Sequence, residues 1–259
     1  MNGALRTHIG ELARRSTLRT MRQPAQIVPA LIFPLFLLAV NSSGLKSATN
    51  LPGFPTDSYL AFALAVPFIQ GALFAVLNSG TDLARDIETG FLNRLALTPL
   101  GGGALLGGLL TGTMLLGLVQ AFTYLVVGLT AGSGFAAGAL GVPVLIGLSM
   151  LVTFGFGAIG LFAALRTGSG EAVQGLFPVF FVFLFLSSMA LPRNLIQTDW
   201  YREIATYNPV SYLIEGFRSL LITGWDTEAL ALGFGLAAAI AVVGMFAANS
   251  ALKTRLVRT

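Results

Sequence analysis

Long apolar stretches separated by short polar segments dominate the chain. The runs at 59–79, 104–131 and 140–165 are longer than ordinary core helices, and a helix of about 20 apolar residues crosses the hydrocarbon core of a bilayer. The pattern predicts an all-α integral membrane protein with one domain over residues 1–259. Its six predicted spans are 27–40 (with a start as early as Pro24), 59–79, 104–131, 140–165, 173–191 and 229–249.

Composition agrees with this class. The chain of 259 residues is 55% hydrophobic and 10% charged, whereas a soluble domain carries about 25% charged residues. Its mean hydropathy is +0.80. The 31 glycines suit a helical membrane protein, because small residues let helices approach closely in lipid.

The inventory of reactive side chains excludes several kinds of site. There is no cysteine, and His8 is the single histidine, so disulfides, thiolate metal sites and histidine clusters are ruled out. We therefore expect no metal site and no catalytic residues. The pI of about 9.9 reflects positive charge near membrane ends, and we expect no nucleic acid partner.

Lysine and arginine residues are unevenly distributed between the two sides that six spans define. Eleven of the 15 lie on the side of both termini, and the other four are Lys46, Arg193, Arg202 and Arg218. Because cytoplasmic loops carry the excess of positive charge, both termini are predicted to be cytoplasmic. The segment 82–99 then lies on the cytoplasmic side and 192–228 on the extracytoplasmic side.

Two cytoplasmic segments have helical patterns. Residues 1–25 predict either a basic amphipathic helix on the membrane surface or a disordered basic tail. In 82–99 the predicted helix starts with a cap at Thr81 or Asp82, allows a bend or a close backbone approach at Gly90 and stops at Pro99. Its apolar stripe consists of Leu83, Ile87, Leu92 and Leu95. Such a helix either lies on lipid or docks a cytoplasmic partner.

The segment 192–228 is too polar to span a bilayer and too apolar for a free loop. Asn208-Pro209 divides it into two short helices, and Glu215 and Arg218 are spaced to neutralise each other. The pattern predicts either a re-entrant hairpin surrounded by protein or an amphipathic hairpin on the membrane surface.

A few polar or aromatic residues within the spans are candidates for a substrate path. Gln70, Asn78 and Gln120 could line such a path or form hydrogen bonds between helices. Phe181 belongs to the phenylalanine-rich fifth span, which either lines the path or packs against lipid and protein. Glycine pairs at 103/107, 108/112 and 128/132 predict close helix contacts.

Two motifs resemble those of ABC-2 type transporter permeases. The first is Asp86-x-Glu88-x-Gly90 followed by Leu95 and Thr98-Pro99, and the second is Asn208-Pro209-Val210-Ser211-Tyr212 followed by Glu215 and Arg218. The likeness covers essentially the whole chain and is greatest to the daunorubicin-resistance type of drug-efflux permease. The chain departs from the family at 101–103, where three glycines replace a more polar or basic residue.

The resemblance implies a transport subunit whose motor is a separate cytoplasmic ABC ATPase. The chain has no G-x-x-x-x-G-K-[ST] phosphate loop, so ATP and Mg²⁺ would bind the partner and this chain would hold no cofactor. A second permease subunit is also implied, as a homodimer or a heterodimer, with membrane lipids around it. Residues 1–25 would form an interface helix, 82–99 a coupling helix and 192–228 an external gate. The implied coupling residues are Arg85, Asp86, Glu88, Gly90, Leu95, Thr98 and Pro99, and the implied gate residues are Asn208, Pro209, Tyr212, Glu215 and Arg218.

The expected cargo is a hydrophobic or amphipathic molecule, drug-like or lipid, exported across the bacterial cytoplasmic membrane. The alternative cargo is a polysaccharide or a lipid-linked glycan. More remote alternatives are a membrane-embedded enzyme, for which the spans offer no paired carboxylates, and a channel without a motor. The lack of ionisable residues deep in the spans argues against a proton relay.

Overall fold

A computed structural model describes residues 2–96 and 101–257. Within these ranges the chain is helical and contains no strand. Short 3₁₀ turns lie at Lys46–Asn50 and Arg193–Leu195, and a π-helical turn lies at Ser219–Thr223. The α-helices are α1 (Asn2–Met21), α2 (Pro24–Gly44), α3 (Tyr59–Ala63), α4 (Ala65–Glu88), α5 (Phe91–Ala96), α6 (Gly102–Thr130), α7 (Gly138–Thr167), α8 (Gly170–Gln174), α9 (Leu176–Phe185), α10 (Asp199–Tyr207), α11 (Pro209–Arg218) and α12 (Thr227–Val257).

Five helices in the described ranges are long and apolar enough to cross a membrane. They are α2, the joined pair α3–α4, α6, α7 and α12, and they correspond to five of the six predicted spans. The predicted fifth span at 173–191 is shorter, because helix α9 ends at Phe185. Together α8 and α9 cover Gly170–Phe185, about 24 Å at 1.5 Å per residue, against a hydrocarbon core of about 30 Å.

Two helix breaks lie three residues before a proline. Leu64 separates α3 from α4 ahead of Pro67, and Gly175 separates α8 from α9 ahead of Pro178. A proline lacks the N–H that would bond the carbonyl four residues earlier, and its ring crowds that carbonyl. A helix break thus lies just ahead of Pro67, where the sequence predicts a kink in the second span.

Helices α4 and α7 form the centre of the molecule. Residues 59–80 are nearly all buried, and α7 packs against both α4 and α12. The two central helices approach closely at small residues: a methyl group at Gly160 would overlap the carbonyl oxygen of Val76. Ser79 Oγ donates a hydrogen bond to the carbonyl of Gly157 at 2.7 Å. Small residues thus set the spacing of these helices.

Helix α1 packs along the first turns of α6. Leu12, Ser16 and Thr20, four residues apart, are buried, and Ser16 Oγ donates to the carbonyl of Leu109 at 2.8 Å. The residues are helical from Asn2, so the interpretation of a disordered tail is wrong. One face of α1 packs on protein rather than lying wholly on lipid.

The predicted glycine pairs behave differently from one another. Gly108 and Gly112 pack against α1, and Gly128 packs against Leu64 of the α3–α4 junction. A Cβ atom at Gly103 or Gly107 would meet no heavy atom of the described residues within 4 Å, so the prediction of a tight contact is wrong there. Gly132 instead takes φ +89° after the end of α6.

Candidate functional site

The charged segment 82–99 does not begin with a helix cap. Helix α4 runs without interruption from Ala65 to Glu88, and Thr81 Oγ1 donates to the carbonyl of Leu77 at 2.7 Å. A hydroxyl that bonds back to the preceding turn belongs to a helix interior. The predicted start at Thr81 or Asp82 is therefore wrong, because the second span continues into the charged segment.

Gly90 divides the segment into two helices. It has φ +67°, a conformation that favours glycine, and a Cβ there would meet no described heavy atom within 4 Å. The bend predicted at Gly90 is confirmed. Glycine suits this position because of the backbone conformation and not because a side chain would lack space. Thr98 and Pro99 lie outside the described residues.

Asp86 lies at the centre of an ion cluster that joins α1 to α4. Its side chain is 1% exposed. Arg15 donates to both carboxylate oxygens, at 3.0 and 2.8 Å, and Arg19 donates to Oδ1 at 2.8 Å. Such charge-assisted bonds are among the stronger hydrogen bonds in proteins. Asp86 therefore holds two helices together and has little surface to offer a partner.

Arg15 also links the two sides of the Gly90 bend. Its guanidinium carbon lies 3.7 Å from the centroid of the Phe91 ring in α5, while its nitrogens bind Asp86 in α4. One cation thus contacts the helices before and after Gly90, which restricts the angle between them. We call Arg15, Arg19, Asp86 and Phe91 the elbow cluster.

The remaining predicted coupling residues divide into exposed and packed ones. Arg85 and Glu88 are exposed on the last turn of α4. Leu95 is half-buried and packs against an apolar cluster that includes Leu83 and Leu92. The segment thus has an apolar face toward the protein and a charged face away from it.

A second polar cluster lies at the other end of the α3–α4 helix pair. Asp86 is near one end of that pair, and Phe62 is near the other, roughly 35 Å away at 1.5 Å per residue. Arg193 Nε donates to Glu215 at 2.7 Å, and its guanidinium lies 4.2 Å from the Tyr212 ring centroid. Glu215 forms its ion pair with Arg193, whereas the sequence predicts pairing with Arg218; the charge of Glu215 still acts on Arg218.

Arg218 is buried and binds backbone carbonyls. It donates to the carbonyls of Phe62 at 3.1 Å, Ser188 at 2.7 Å and Met189 at 2.8 Å, and it stacks 3.5 Å from the Phe62 ring centroid. Burial lowers the pKa of Arg218 to about 9, and the charge of Glu215 acts in the opposite direction. The guanidinium therefore stays protonated at neutral pH and joins α11 to α3 and to the turn after α9.

Asn208 and Pro209 form the corner between α10 and α11. Asn208 Oδ1 accepts from the Val210 N–H at 2.9 Å, and its amide nitrogen donates to the carbonyl of Phe183 at 2.6 Å. Pro209 occupies the first helical position, where a missing N–H has no consequence. The division into two short helices at this dipeptide is confirmed.

A cleft of about 420 Å³ opens beside these residues. Charged side chains of both signs line it, as do the ends of α3 and α12. Its lining residues include Pro55, Arg193, Glu215, Arg218, Asp226 and Ala229. It gives the second polar cluster an opening to its surroundings.

The polar residues within the spans have different surroundings. Gln120 Nε2 and Tyr124 Oη both donate to the carbonyl of Ala30, at 3.0 and 2.5 Å. Pro34 has no N–H for that carbonyl, so α6 supplies the missing donors to α2. For Gln120 the hydrogen-bond interpretation holds.

Gln70 and Asn78 are also buried, but both amide atoms of Gln70 and the amide nitrogen of Asn78 lack a hydrogen-bond partner within the described ranges.

Phe181 is half-buried in a group of aromatic rings. Its ring centroid lies 6.0 Å from that of Phe33 in α2 and 4.6 Å from that of Phe177. Ring contacts at these distances are typical of packing, which here joins α9 to α2.

Sequence reasoning missed several partners of the predicted residues. Arg15 and Arg19 were assigned only to a basic helix, although their spacing of four places both on one face. Arg193 and Tyr124 carried no signal of their own, because their partners are set by packing. Over the described residues there is no group of three or more His, Cys, Asp or Glu side chains that could hold a metal ion.

Comparison with known proteins identifies the family of the chain. Residues 7–222 match the family model described as ABC-2 type transporter. A protein named as a transport permease, ycf38 of Porphyra purpurea, is 30% identical over 96% of this chain and 89% of its own length. The daunorubicin resistance ABC transporter permease protein DrrB1 of Streptomyces coeruleorubidus is 29% identical over 86% of this chain and 79% of its own length. The chain belongs to the ABC-2 type transporter family and is a multi-pass membrane protein.

Proposed function

We propose that the chain is the transmembrane permease subunit of an ATP-driven exporter that moves a hydrophobic or amphipathic molecule, drug-like or lipid. The family supports a permease working with an ABC ATPase. The name of DrrB1 connects a relative with resistance to daunorubicin. ATP and Mg²⁺ would bind the separate cytoplasmic ATPase subunit, and this chain would supply the path.

The assembly we propose contains two permease subunits and a cytoplasmic ATPase. Each permease would have six spans, with Gly170–Phe185 as the fifth, and both termini would face the cytoplasm. The excess of arginine on that side supports the orientation. The membrane would be the bacterial cytoplasmic membrane.

The elbow cluster carries the proposal. Exposed Arg85 and Glu88 would contact the ATPase, together with the Gly90 bend. The buried Asp86 would play a positioning role, because its bonds to Arg15 and Arg19 make α1 follow α4. Movement of the ATPase would then reach the core through α4, which continues from this segment into the centre of the molecule.

The second polar cluster supports a gate at the opposite end. Arg193, Glu215 and Arg218 join α11 to α3 and to the turn after α9. A shift of α3 with α4 would therefore reach the 192–228 segment. Gln70 and Asn78, with unpartnered amides in α4, are the substrate-path residues that we favour over Gln120 and Phe181.

A second cargo class remains a separate proposal. A polysaccharide or lipid-linked glycan would use the same subunit arrangement, and the cleft lined by Arg193, Glu215 and Asp226 suits a polar ligand. Transport of labelled daunorubicin and of a labelled lipid-linked glycan by the same reconstituted complex would separate the two.

Co-expression with the ATPase subunit tests the function. We expect the wild-type chain to co-purify with the ATPase and stimulate its ATP hydrolysis. Glu88→Arg should lower the stimulation at least tenfold, because it reverses the charge at the proposed contact. Gly90→Trp should lower the stimulation similarly, because the backbone conformation of Gly90, with φ +67°, is strained for a residue with a side chain. The matched control Glu228→Arg, an exposed glutamate at the other end, should leave it unchanged. Full association and stimulation with both Glu88→Arg and Gly90→Trp would refute the assignment.

A further inference from the structure

Gln70 is a buried amide whose hydrogen-bonding groups the fold does not use. It lies in α4 and is 1% exposed, and neither its amide nitrogen nor its amide oxygen has a hydrogen-bond partner among the described residues. Buried side-chain amides are nearly always hydrogen-bonded, either to protein or to ordered water. Both ends of this amide therefore need a partner other than the described protein groups.

A small cavity lies beside Gln70, between α4, α2 and the turn after α9. It offers about 10 Å³ to the centre of a water molecule, which is about the smallest space that holds one water and is far too small for a lipid or a drug-like molecule. None of its lining residues is exposed. Size therefore restricts an occupant of this cavity to a single water molecule.

The break at the α3–α4 junction supplies a hydrogen-bond acceptor in the same place. Pro67 has no N–H for the carbonyl of Ala63, and both residues line the cavity. Helical side chains lean toward the N-terminus of their helix, which directs Gln70 toward the turn that contains Pro67. A carbonyl that the proline leaves without its usual donor and an unpartnered amide thus border one water-sized space.

Two further polar side chains line the cavity. Tyr59 Oη donates to the carbonyl of Ala190 at 2.9 Å, which leaves the hydroxyl oxygen able to accept a hydrogen bond. Asn41 contributes a second amide, from α2. A buried water molecule makes about two to four hydrogen bonds to polar groups, and the lining of this cavity offers that many partners.

We propose that the cavity binds one ordered water molecule, which accepts a hydrogen bond from the Gln70 amide nitrogen and donates one to the carbonyl of Ala63. The water satisfies both the buried amide and the carbonyl that Pro67 leaves without a donor, and its second hydrogen is available to Asn41 of α2. The proposal does not rest on the transport function. A cargo that binds Gln70 in this conformation first has to displace the water.

Radiolytic footprinting tests the proposal, because a short X-ray pulse produces hydroxyl radicals from bound water as well as from bulk water. Met189 lines the cavity and is 7% exposed, and its thioether oxidises readily. The full chain is irradiated in phosphatidylcholine vesicles, and the oxidation of each methionine is measured by mass spectrometry. We expect Met189 to be oxidised in the wild type, and Gln70→Leu to lower its oxidation rate at least fivefold, because leucine cannot bond the water.

Two controls separate a bound water from a general change in the protein. Met21 of α1 is 63% exposed and serves as the internal reference for the radical dose in every chain. Gln70→Asn keeps an amide at this position and should retain most of the Met189 oxidation. The proposal is overturned if Met189 is not oxidised in the wild type, if its oxidation in Gln70→Leu equals or exceeds that in the wild type, or if Gln70→Asn loses the oxidation as Gln70→Leu does.

Discussion

Single buried polar residues join helices that the apolar pattern alone does not connect. Asp86 binds two arginines of α1, and the carbonyl of Ala30 accepts from two side chains of α6. Arg218 donates to carbonyls of two other segments. Because an unpaired buried polar group destabilises a fold by about 1–3 kcal/mol, these contacts specify which helices meet.

Removal of the Asp86 charge tests the junction of α1 with α4. Asp86→Asn keeps the size but loses the charge-assisted bonds to Arg15 and Arg19, and we expect it to lower stability by about 1–3 kcal/mol. Unfolding in detergent and the rate of proteolysis within α1 would measure the effect. Glu11→Gln is the matched control, because the Glu11–Arg14 pair is exposed at 3.6 Å and such pairs contribute little. Equal stability of Asp86→Asn and wild type would contradict a structural role for the cluster.

The carbonyl of Ala30 offers a test with an internal rescue. Tyr124→Phe with Gln120→Leu leaves the carbonyl without a donor, which should lower stability by about 1–3 kcal/mol. Adding Pro34→Ala restores an N–H four residues after Ala30, so part of the loss should return. Thermal unfolding of the double and triple variants in the same detergent gives the comparison. A triple variant less stable than the double one would show that Pro34 is not the cause.

At the scale of elements, glycines decide how closely helices pack, and their position matters more than their motif. Gly112 packs against α1, whereas a Cβ atom at Gly107 on the same helix would meet no described heavy atom within 4 Å. Proline has a similarly local effect, since Pro67 and Pro178 each follow a helix break while Pro34 lies within a continuous α2. The effect of a glycine or a proline on helix packing therefore cannot be predicted unless the neighbouring helix is known.

Alanine at the two glycines of α6 should have opposite effects. A methyl group at Gly112 would overlap Thr20 and the backbone of Ser16, so Gly112→Ala should lower stability by about 1–3 kcal/mol. Gly107→Ala should be neutral or stabilising by up to about 1 kcal/mol, because alanine favours helix. The unfolding midpoints of the two variants in one detergent provide the measurement. Equal midpoints would contradict the close packing of α1 on α6.

At the scale of the whole molecule, hydropathy predicts most of the fold. The spans beginning near Tyr59, Ala104, Leu140 and Ala229 follow from runs of apolar residues. The structure extends the first of them to Glu88 and the last to Val257. The fifth segment could not be delimited in this way, because its apolar run continues beyond Phe185 while the helix does not. Local hydropathy does not report where a chain turns back onto its neighbours.

The candidate site was predictable in position but not in its pairing. The sequence predicts the position of the Asp86 motif, the bend at Gly90 and the corner at Asn208-Pro209. The partners are not, because Arg15 and Asp86 are 71 residues apart and meet only once α1 packs on α6. The same holds for Glu215, whose nearest arginine in sequence is Arg218 but whose partner is Arg193.

The exposed end of α4, beside the elbow cluster, is the proposed contact with the ATPase. Because the natural chain has no cysteine, Glu88→Cys and Glu228→Cys each give a single attachment point for a photoactivatable cross-linker. Cross-linking in membranes that contain both subunits is the most direct measurement. We expect Glu88→Cys to yield a covalent product with the ATPase subunit and Glu228→Cys to yield none. A product from Glu228→Cys alone would place the motor at the opposite end of the molecule and rule out the contact at Glu88.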